Sequence, residues 1–339
     1  MQVLDIGVFA HNEGKRIGPF LKSLSRQSVF RRDFDVRLHI LANGCTDDTV
    51  AVVTRLAPQY DLESHIQIHD LSEGGKSRTW NRFTHDLSRS DAGMLVYCDA
   101  DISFMTDDTI EKLCGFLTSH PDLVASSSYP IKDLALGEQS LTLVQKLIVS
   151  GASSREEART AICGQLYAAR SKDVRRVWMP VGLPVEDGYL RAMLLTRNFT
   201  ENENTALISA DPDIAHVYES ERDISGLLRH QIRIVIGGAI NLVLFDFLRS
   251  VPHESRASAI EEVVDKEGWL GALLAKSLPC RYGWVPVHFL IKRTQSALTG
   301  GGWYRPGRLL KLLLGQTFDL IVWIAAQWKM ARGSGAGFW

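Results

Sequence analysis

Asp99-Ala100-Asp101 stands directly behind the apolar run Met94-Leu95-Val96-Tyr97-Cys98. Side chains two apart on an extended chain point the same way, so both carboxylates can face one cation. Hard oxygen ligands suit Mg²⁺ or Mn²⁺, ions that commonly hold substrate phosphates. The pattern points to a metal-held diphosphate rather than a generic pocket. A second candidate, Gly74-Gly75-Lys76-Ser77, looks like the end of a nucleotide-triphosphate loop. The first glycine that such a loop needs would fall at Asp70, whose carboxylate would face the phosphates, so that reading fails. Lys76 stays a candidate contact for a sugar or phosphate.

Groups of this kind need a sheet to carry them. The Met94 run reads as a strand buried on both faces, because parallel strands covered by helices lose polar alternation. Ligands of open α/β sheets bind at the carboxyl ends of such strands. Val3–Ala10, Val36–Leu41 and Ile66–His69 read as further strands. Between them Ile17, Phe20, Leu21 and Leu24 mark the buried stripe of a helix. Thr46 suits an N-cap, with Asp47 and Asp48 in the first turn of the second helix. A third helix is expected over Lys76–Leu87 and a fourth from about Asp108 to Leu117. Strand and helix alternating in this way predict an α/β fold, a doubly wound, mostly parallel sheet with helices on both faces.

Beyond Tyr129 the pattern loosens. Leu141–Ser150 reads as helix, and Ala161–Ala169 as a strand interrupted by Gly164. A helix opens near Glu186-Asp187, and Thr205–Ser209 and Ala215–Tyr218 read as separate strands. From Ile224 the chain is mainly helical, broken at Pro252, Pro279, Pro286 and Gly300-Gly301-Gly302. The expected division is a catalytic domain over 1–222, with halves 1–130 and 131–222, and a helical carboxyl-terminal region over 223–339.

The net charge of −1 gives no reason to expect a nucleic-acid partner. Cys45, Cys98, Cys114, Cys163 and Cys280 are odd in number and widely spaced, which favours reduced, mostly buried thiols. Met1-Gln2-Val3-Leu4-Asp5 lacks the basic and apolar stretches of a signal peptide. No apolar stretch runs uninterrupted for the roughly 18 residues of a spanning helix. The expected location is cytoplasmic, with a peripheral position at the inner face of the cell membrane as an extension of that reading.

Taken in order, the motifs resemble those of the inverting family 2 glycosyltransferases, which have the GT-A fold. The resemblance covers roughly residues 1–240. Ala10-His11-Asn12-Glu13 stands where such enzymes carry Pro-x-Asn-Glu, and Asn43-Gly44-Cys45-Thr46-Asp47 where they carry Asp-Gly-Ser-Thr-Asp. Gly75-Lys76 with Asn81 matches the start of their third helix, Asp99-Ala100-Asp101 their Asp-x-Asp and Val185-Glu186-Asp187 their x-Glu-Asp. Gly164 takes the place of the glycine upstream of that motif, and His216 that of a histidine completing the metal shell.

The resemblance implies Asp187 as general base with Glu186 as the fallback. It implies Asp101 as the more direct ligand of Mn²⁺ or Mg²⁺, Asp99 as a ribose or outer contact and His216 as a further ligand. Ala10, Asn12, Glu13, Asn43, Asp47, Gly75, Lys76, Asp99, Gly164 and Arg233 are then expected around the nucleotide sugar. Where many members carry an acid that reads a uracil base, this chain has Ala42 before Asn43. Asn43 could still hydrogen-bond a base edge, so a UDP-sugar is favoured and a GDP-sugar stays open. His230-Gln231-Ile232-Arg233-Ile234 replaces the Gln-x-x-Arg-Trp of processive members, which favours transfer of a single sugar. Two other functions fit the same sheet: a sugar nucleotidyltransferase, and a sugar-nucleotide-binding protein without turnover.

The segment Leu309–Met330 is the most apolar, though Lys311, Gln316 and Asp319 interrupt it. It reads either as a helix buried against the catalytic domain or a second copy, or as one lying at a membrane surface. Trp323, Trp328 and Trp339 with Arg305, Arg308, Lys311 and Lys329 suit the latter, and a lipid-linked hydroxyl acceptor would follow. Gly300-Gly301-Gly302-Trp303-Tyr304 is either a mobile lid or a plain turn.

Overall fold

The computed structural model describes residues 2–32, 34–136, 142, 145–146, 159–264, 266, 268–281, 283–299 and 306–333. The helix expected over Leu141–Ser150 and the loop Gly300–Tyr304 lie outside the described residues. The strands are β1 (Gln2–Ala10), β2 (Phe34–Asn43), β3 (Ile66–Leu71), β4 (Met94–Asp99), β5 (Ile102–Phe104), β6 (Ala125–Lys132), β7 (Leu166–Arg170) and β8 (Ile208–Tyr218). They form one sheet in the order β3-β2-β1-β4-β7-β6-β8-β5. β1 pairs in parallel with β2 and β4, β2 with β3, and β6 with β8. β7 runs antiparallel to β4 and β6, and β5 antiparallel to β8. The parallel half ends its strands along one edge, which is where Ala10, Asn43 and Asp99 emerge.

Helices α1 (Ile17–Ser25), α2 (Thr49–Leu56) and α4 (Thr109–Ser119) cover one face, and α3 (Lys76–Asn81) lies on the other. β1 shows why both faces are apolar: Leu4, Ile6, Val8 and Ala10 point into one core, Phe9 into the other. In α1 the residues Ile17, Phe20, Leu21 and Leu24 are buried, each contributing about 1.5–3 kcal/mol of apolar burial.

Local structure departs from expectation at four places. α2 starts at Thr49 with Asp48, not Thr46, at its N-cap, because Asp47 Oδ1 accepts the Thr49 N–H at 3.0 Å and holds the preceding turn outside the helix. The third helix changes to π-helical winding over Arg82–Leu87 after α3. Gly164 lies in the turn before β7 rather than inside a strand. The two strands expected after Thr205 are one, β8, because Ala210–Ile214 stays extended across a register shift opposite β6.

α5 (Ser171–Val174) and α6 (Glu186–Leu195) follow β7. The carboxyl-terminal helices are α7 (Ile224–Ser250), α8 (Trp269–Ser277), α9 (His288–Thr299) and α10 (Pro306–Ala331). Ile236, Ile240, Leu244 and Leu248 of α7 share one core with Tyr97 of β4, Tyr167 of β7 and Tyr189 of α6. These helices are therefore built onto the catalytic sheet. By length and composition alone α7 and Gly307–Ala331 are apolar enough to cross a membrane, unlike the uninterrupted-run reading of the sequence.

Candidate active site

Two loops at the strand ends form the first wall. Asn12, in a left-handed conformation at φ 57°, accepts the Thr46 N–H at 2.8 Å. Glu13 N–H donates to Thr49 Oγ1 and Gly14 N–H to Asp47 Oδ2, each at 2.9 Å. Asp47 therefore spends both carboxylate oxygens on the protein, Oδ1 on Thr49 and Oδ2 on Gly14. The hydrogen bond from Thr49 leads the causes that hold Asp47 below the usual carboxylate range. This is a clamp between the β1 and β2 loops. Asn43 is buried at the end of β2, its Oδ1 accepting from Thr79 at 2.9 Å and its amide NH₂ open to a ligand.

Lys76 opens α3, after Gly75 at φ 125°. Its Nζ lies 2.8 Å from Asp99, 3.0 Å from Glu186 Oε1 and 3.3 Å from the Gly164 carbonyl. An ammonium has three N–H groups, and these partners engage all of them. Residues from α3, β4, the turn before β7 and the start of α6 thus meet at one atom. A Cβ on Gly164 would come 3.3 Å from Asp187 Cβ, which puts Asp187 in the same cleft.

The charges there do not balance. The Lys76 charge acts on Asp99, Glu186 and Asp187, Asp101 adds its own negative charge beside Asp99, and the Arg233 charge is felt at Glu186 and Asp187. Burial pushes Asp99 up to about 7, with Lys76 opposing and Asp101 adding to the rise. Burial also raises Asp187, to about 6, and the neighbouring Glu186 carboxylate adds to it. For Glu186 burial works upward as well, but Lys76 overcomes it and holds that carboxyl below its ordinary range. Lys76 itself is desolvated, yet Asp99 and Glu186 keep it charged. Burial raises Glu13 too, and the next cause is the Asp101 carboxylate facing it.

Asp101 is exposed and, among the described residues, makes no hydrogen bond or ion pair. A bare carboxylate in a cleft with excess negative charge fits a hard divalent cation. Among the described residues no three His, Cys, Asp or Glu side chains close into a metal shell. His216 was expected to complete one, and its ring is engaged within the protein. It is fully buried, its Nδ1 2.5 Å from Ser128 Oγ and its Nε2 3.2 Å from Gln165 Oε1 and 3.9 Å from Cys163 Sγ. Burial drops its pKa to about 4, so the ring is a neutral strut between β6, the Gly164 turn and β8.

Arg233 on α7 has a buried Nε without a hydrogen-bond partner, and its charge is felt at Glu186 and Asp187. Ala10 is buried at the end of β1 and lends only backbone. Two positions were not seen as part of the site. Asn81 grips the Met179 backbone from both sides at 2.8 and 2.9 Å and so aims the segment leading to α6. Val185, just before Glu186, is held by Asn241 of α7 through its carbonyl at 3.2 Å. Only the resemblance of Asn81 to a helix motif hinted at the first, and nothing local signals the second.

Residues 5–178 match the family model described as glycosyl transferase family 2. The chain belongs to that family. The match runs from Asp5, inside β1, through β7, takes in Asp99-Ala100-Asp101 and ends before Glu186-Asp187. No curated protein matches the sequence. Among solved structures this family 2 glycosyltransferase is similar to the mannosyltransferase PcManGT from Pyrobaculum calidifontis, in complex with GDP-Man and Mn²⁺. That likeness has 18% identity and a TM-score of 0.55 over 96% of this chain and 87% of that one, and it shows the GT-A fold. Weaker likenesses are to glucosyl-3-phosphoglycerate synthase from Mycobacterium tuberculosis in complex with Mn²⁺, UDP-glucose and phosphoglyceric acid, and to S. aureus TarS 1–349. The first has 17% identity and a TM-score of 0.48, over 71% of this chain and 79% of that one. The second has 13% identity and a TM-score of 0.46, over 98% and 92%.

Proposed function

We propose that this glycosyltransferase moves one sugar from a nucleotide-diphosphate sugar to an acceptor hydroxyl, in a single displacement that inverts the anomeric carbon. The observation that carries it is the meeting of Asp99, Glu186 and the Gly164 turn at Lys76 Nζ, with Asp187 beside them. In such a displacement the acceptor oxygen bonds to the anomeric carbon as the bond from that carbon to the diphosphate breaks. The electron pair leaves with the nucleoside diphosphate. Asp187 takes the proton from the acceptor hydroxyl. With its pKa raised to about 6 it is ionised near neutrality yet basic enough to accept that proton. Glu186, locked to Lys76, is the less able base and a fixed wall of the sugar pocket.

Asp101, with Asp99 behind it, would hold a divalent cation, Mn²⁺ or Mg²⁺, the remaining ligands being diphosphate oxygens and water. When bound, that cation supplies Lewis-acid stabilisation of the leaving diphosphate. The complex of PcManGT with GDP-Man and Mn²⁺ supports this assignment by analogy of fold. Arg233 offers its unpartnered Nε to the same diphosphate. The Asn43 amide, the backbone at Ala10 and the exposed Asp47 carboxylate are the groups offered to the base. Both UDP- and GDP-sugars stay compatible, and a hydroxyl on a lipid-linked molecule is the acceptor in view.

A panel of nucleotide sugars with Mn²⁺ or Mg²⁺ tests this, read by product. Release of nucleoside diphosphate, with inverted configuration at the transferred sugar, supports it. Release of pyrophosphate would mean nucleotidyl transfer and would overturn it.

A further inference from the structure

We propose that α10 docks this glycosyltransferase onto an anionic lipid surface. The proposal goes beyond sugar transfer and does not depend on which acceptor is used. α10 has two apolar faces. Val322, Ala326 and Met330, spaced four apart, are buried in the shared core. Gln316 donates to the Leu290 carbonyl of α9 at 2.7 Å and Trp323 to the Val285 carbonyl at 3.2 Å, so one side of the helix is anchored along its length. On the other side Leu310, Leu313, Leu314, Ile321, Ile324 and Trp328 are 49–62% exposed. Apolar surface of this extent on one helix marks an interaction face.

Charge identifies the occupant. From Trp269 to the carboxyl end the sequence has nine Lys and Arg and one acid, Asp319. Arg293 binds that acid through both oxygens at 2.6 and 2.9 Å. The whole chain is −1, so residues before Trp269 carry an excess of nine acids. Such segregation directs the helical end, and not the catalytic end, toward a negative surface. The Arg332 guanidinium lies 3.5 Å over the exposed Trp328 ring, a pair with an apolar body and a charged head that suits the lipid–water boundary.

A second copy fits less well. A twofold contact would set this face against itself, basic residues against basic residues, with no acid free to pair. A spanning role conflicts with the anchored face, which is already packed on α9 and the core. The helix therefore lies in the interface plane. α9 also bears on the site: Phe289 closes on Gly238 of α7, little more than a turn beyond Arg233.

Vesicle flotation of the full chain tests the proposal, using phosphatidylcholine with and without phosphatidylglycerol. Flotation is expected only with phosphatidylglycerol and should fall with added salt. Lys311→Glu with Lys329→Glu, and separately Leu314→Gln with Ile321→Gln, should each weaken it about tenfold or more. All four positions lie outside the cleft, so helical circular dichroism and donor hydrolysis without vesicles should stay at wild-type level. Hydrolysis without vesicles reads the sugar-transfer proposal separately from docking. No flotation with either vesicle would overturn the docking proposal. So would equal flotation with both, or a dimer in solution that Leu314→Gln with Ile321→Gln dissociates.

Discussion

At the residue scale the site is an excess of carboxylates organised by one ammonium. Lys76 bridges Asp99 and Glu186, which leaves Asp101 and Asp187 outside that pair, and the proposed mechanism gives Asp187 the substrate proton. The carboxylate is the active form of a base, and burial followed by Glu186 raises Asp187 to about 6. Turnover at saturating donor should therefore fall as pH drops through about 6 and level off above it. A pH profile of kcat reads this directly. Arg233 keeps a buried Nε without a partner, a cost that makes sense if an anion fills the gap. Arg233→Gln is expected to raise the donor KM about tenfold or more while changing kcat less, by the worth of a charge-assisted hydrogen bond. Steady-state kinetics with varied donor separates the two parameters. The acids themselves were legible because their types and order announce them. The partner that balances them was not, since no spacing rule links Lys76 to Glu186. The surroundings of His216 were hidden for a related reason: sequence order places a histidine near the cleft but cannot show that Ser128 and Gln165 hydrogen-bond its ring.

At the element scale the strand ends and helix starts deliver these groups, and α7 sets the aim of α6. A Cβ on Gly237 would sit 2.2 Å from Val185 Cγ2 and 2.6 Å from its Cβ, so α7 can approach the start of α6 only through glycine. Gly237→Ala should cost about 1–3 kcal/mol of stability by overpacking. It should also lower kcat by moving Val185 and with it Glu186-Asp187. Thermal unfolding and turnover measured on one preparation test both parts. The parallel strands were readable from their apolar runs, which the two cores explain: β1 buries alternate side chains on opposite faces. Helix starts were less readable. Asp47 and Thr46 both look like caps, and only the contact with Gly14 across the chain decides that Asp47 is a clamp. β8 was split in expectation because Asp211 and Asp213 break its apolar pattern at an exposed stretch.

At the scale of the whole molecule the GT-A sheet has its cleft at the carboxyl ends of the parallel strands, and α7 joins the helical end to the cleft wall. Fold class and the order of motifs were legible in the sequence because both follow from local patterns. The course of α10 was not. Its apolar residues serve two faces at once, and composition alone cannot say that Val322 is buried while Ile321 is half exposed. The proposed transfer requires the acids of β4 and α6 to work in one cleft, with Asp187 on the acceptor side. Asp187→Asn measures that most directly, with donor binding followed by calorimetry in the presence of Mn²⁺ and turnover by nucleoside diphosphate release. Unchanged donor affinity with turnover reduced about a hundredfold or more is expected. Wild-type turnover in this variant, or a loss of donor binding as large as the loss of rate, would contradict it.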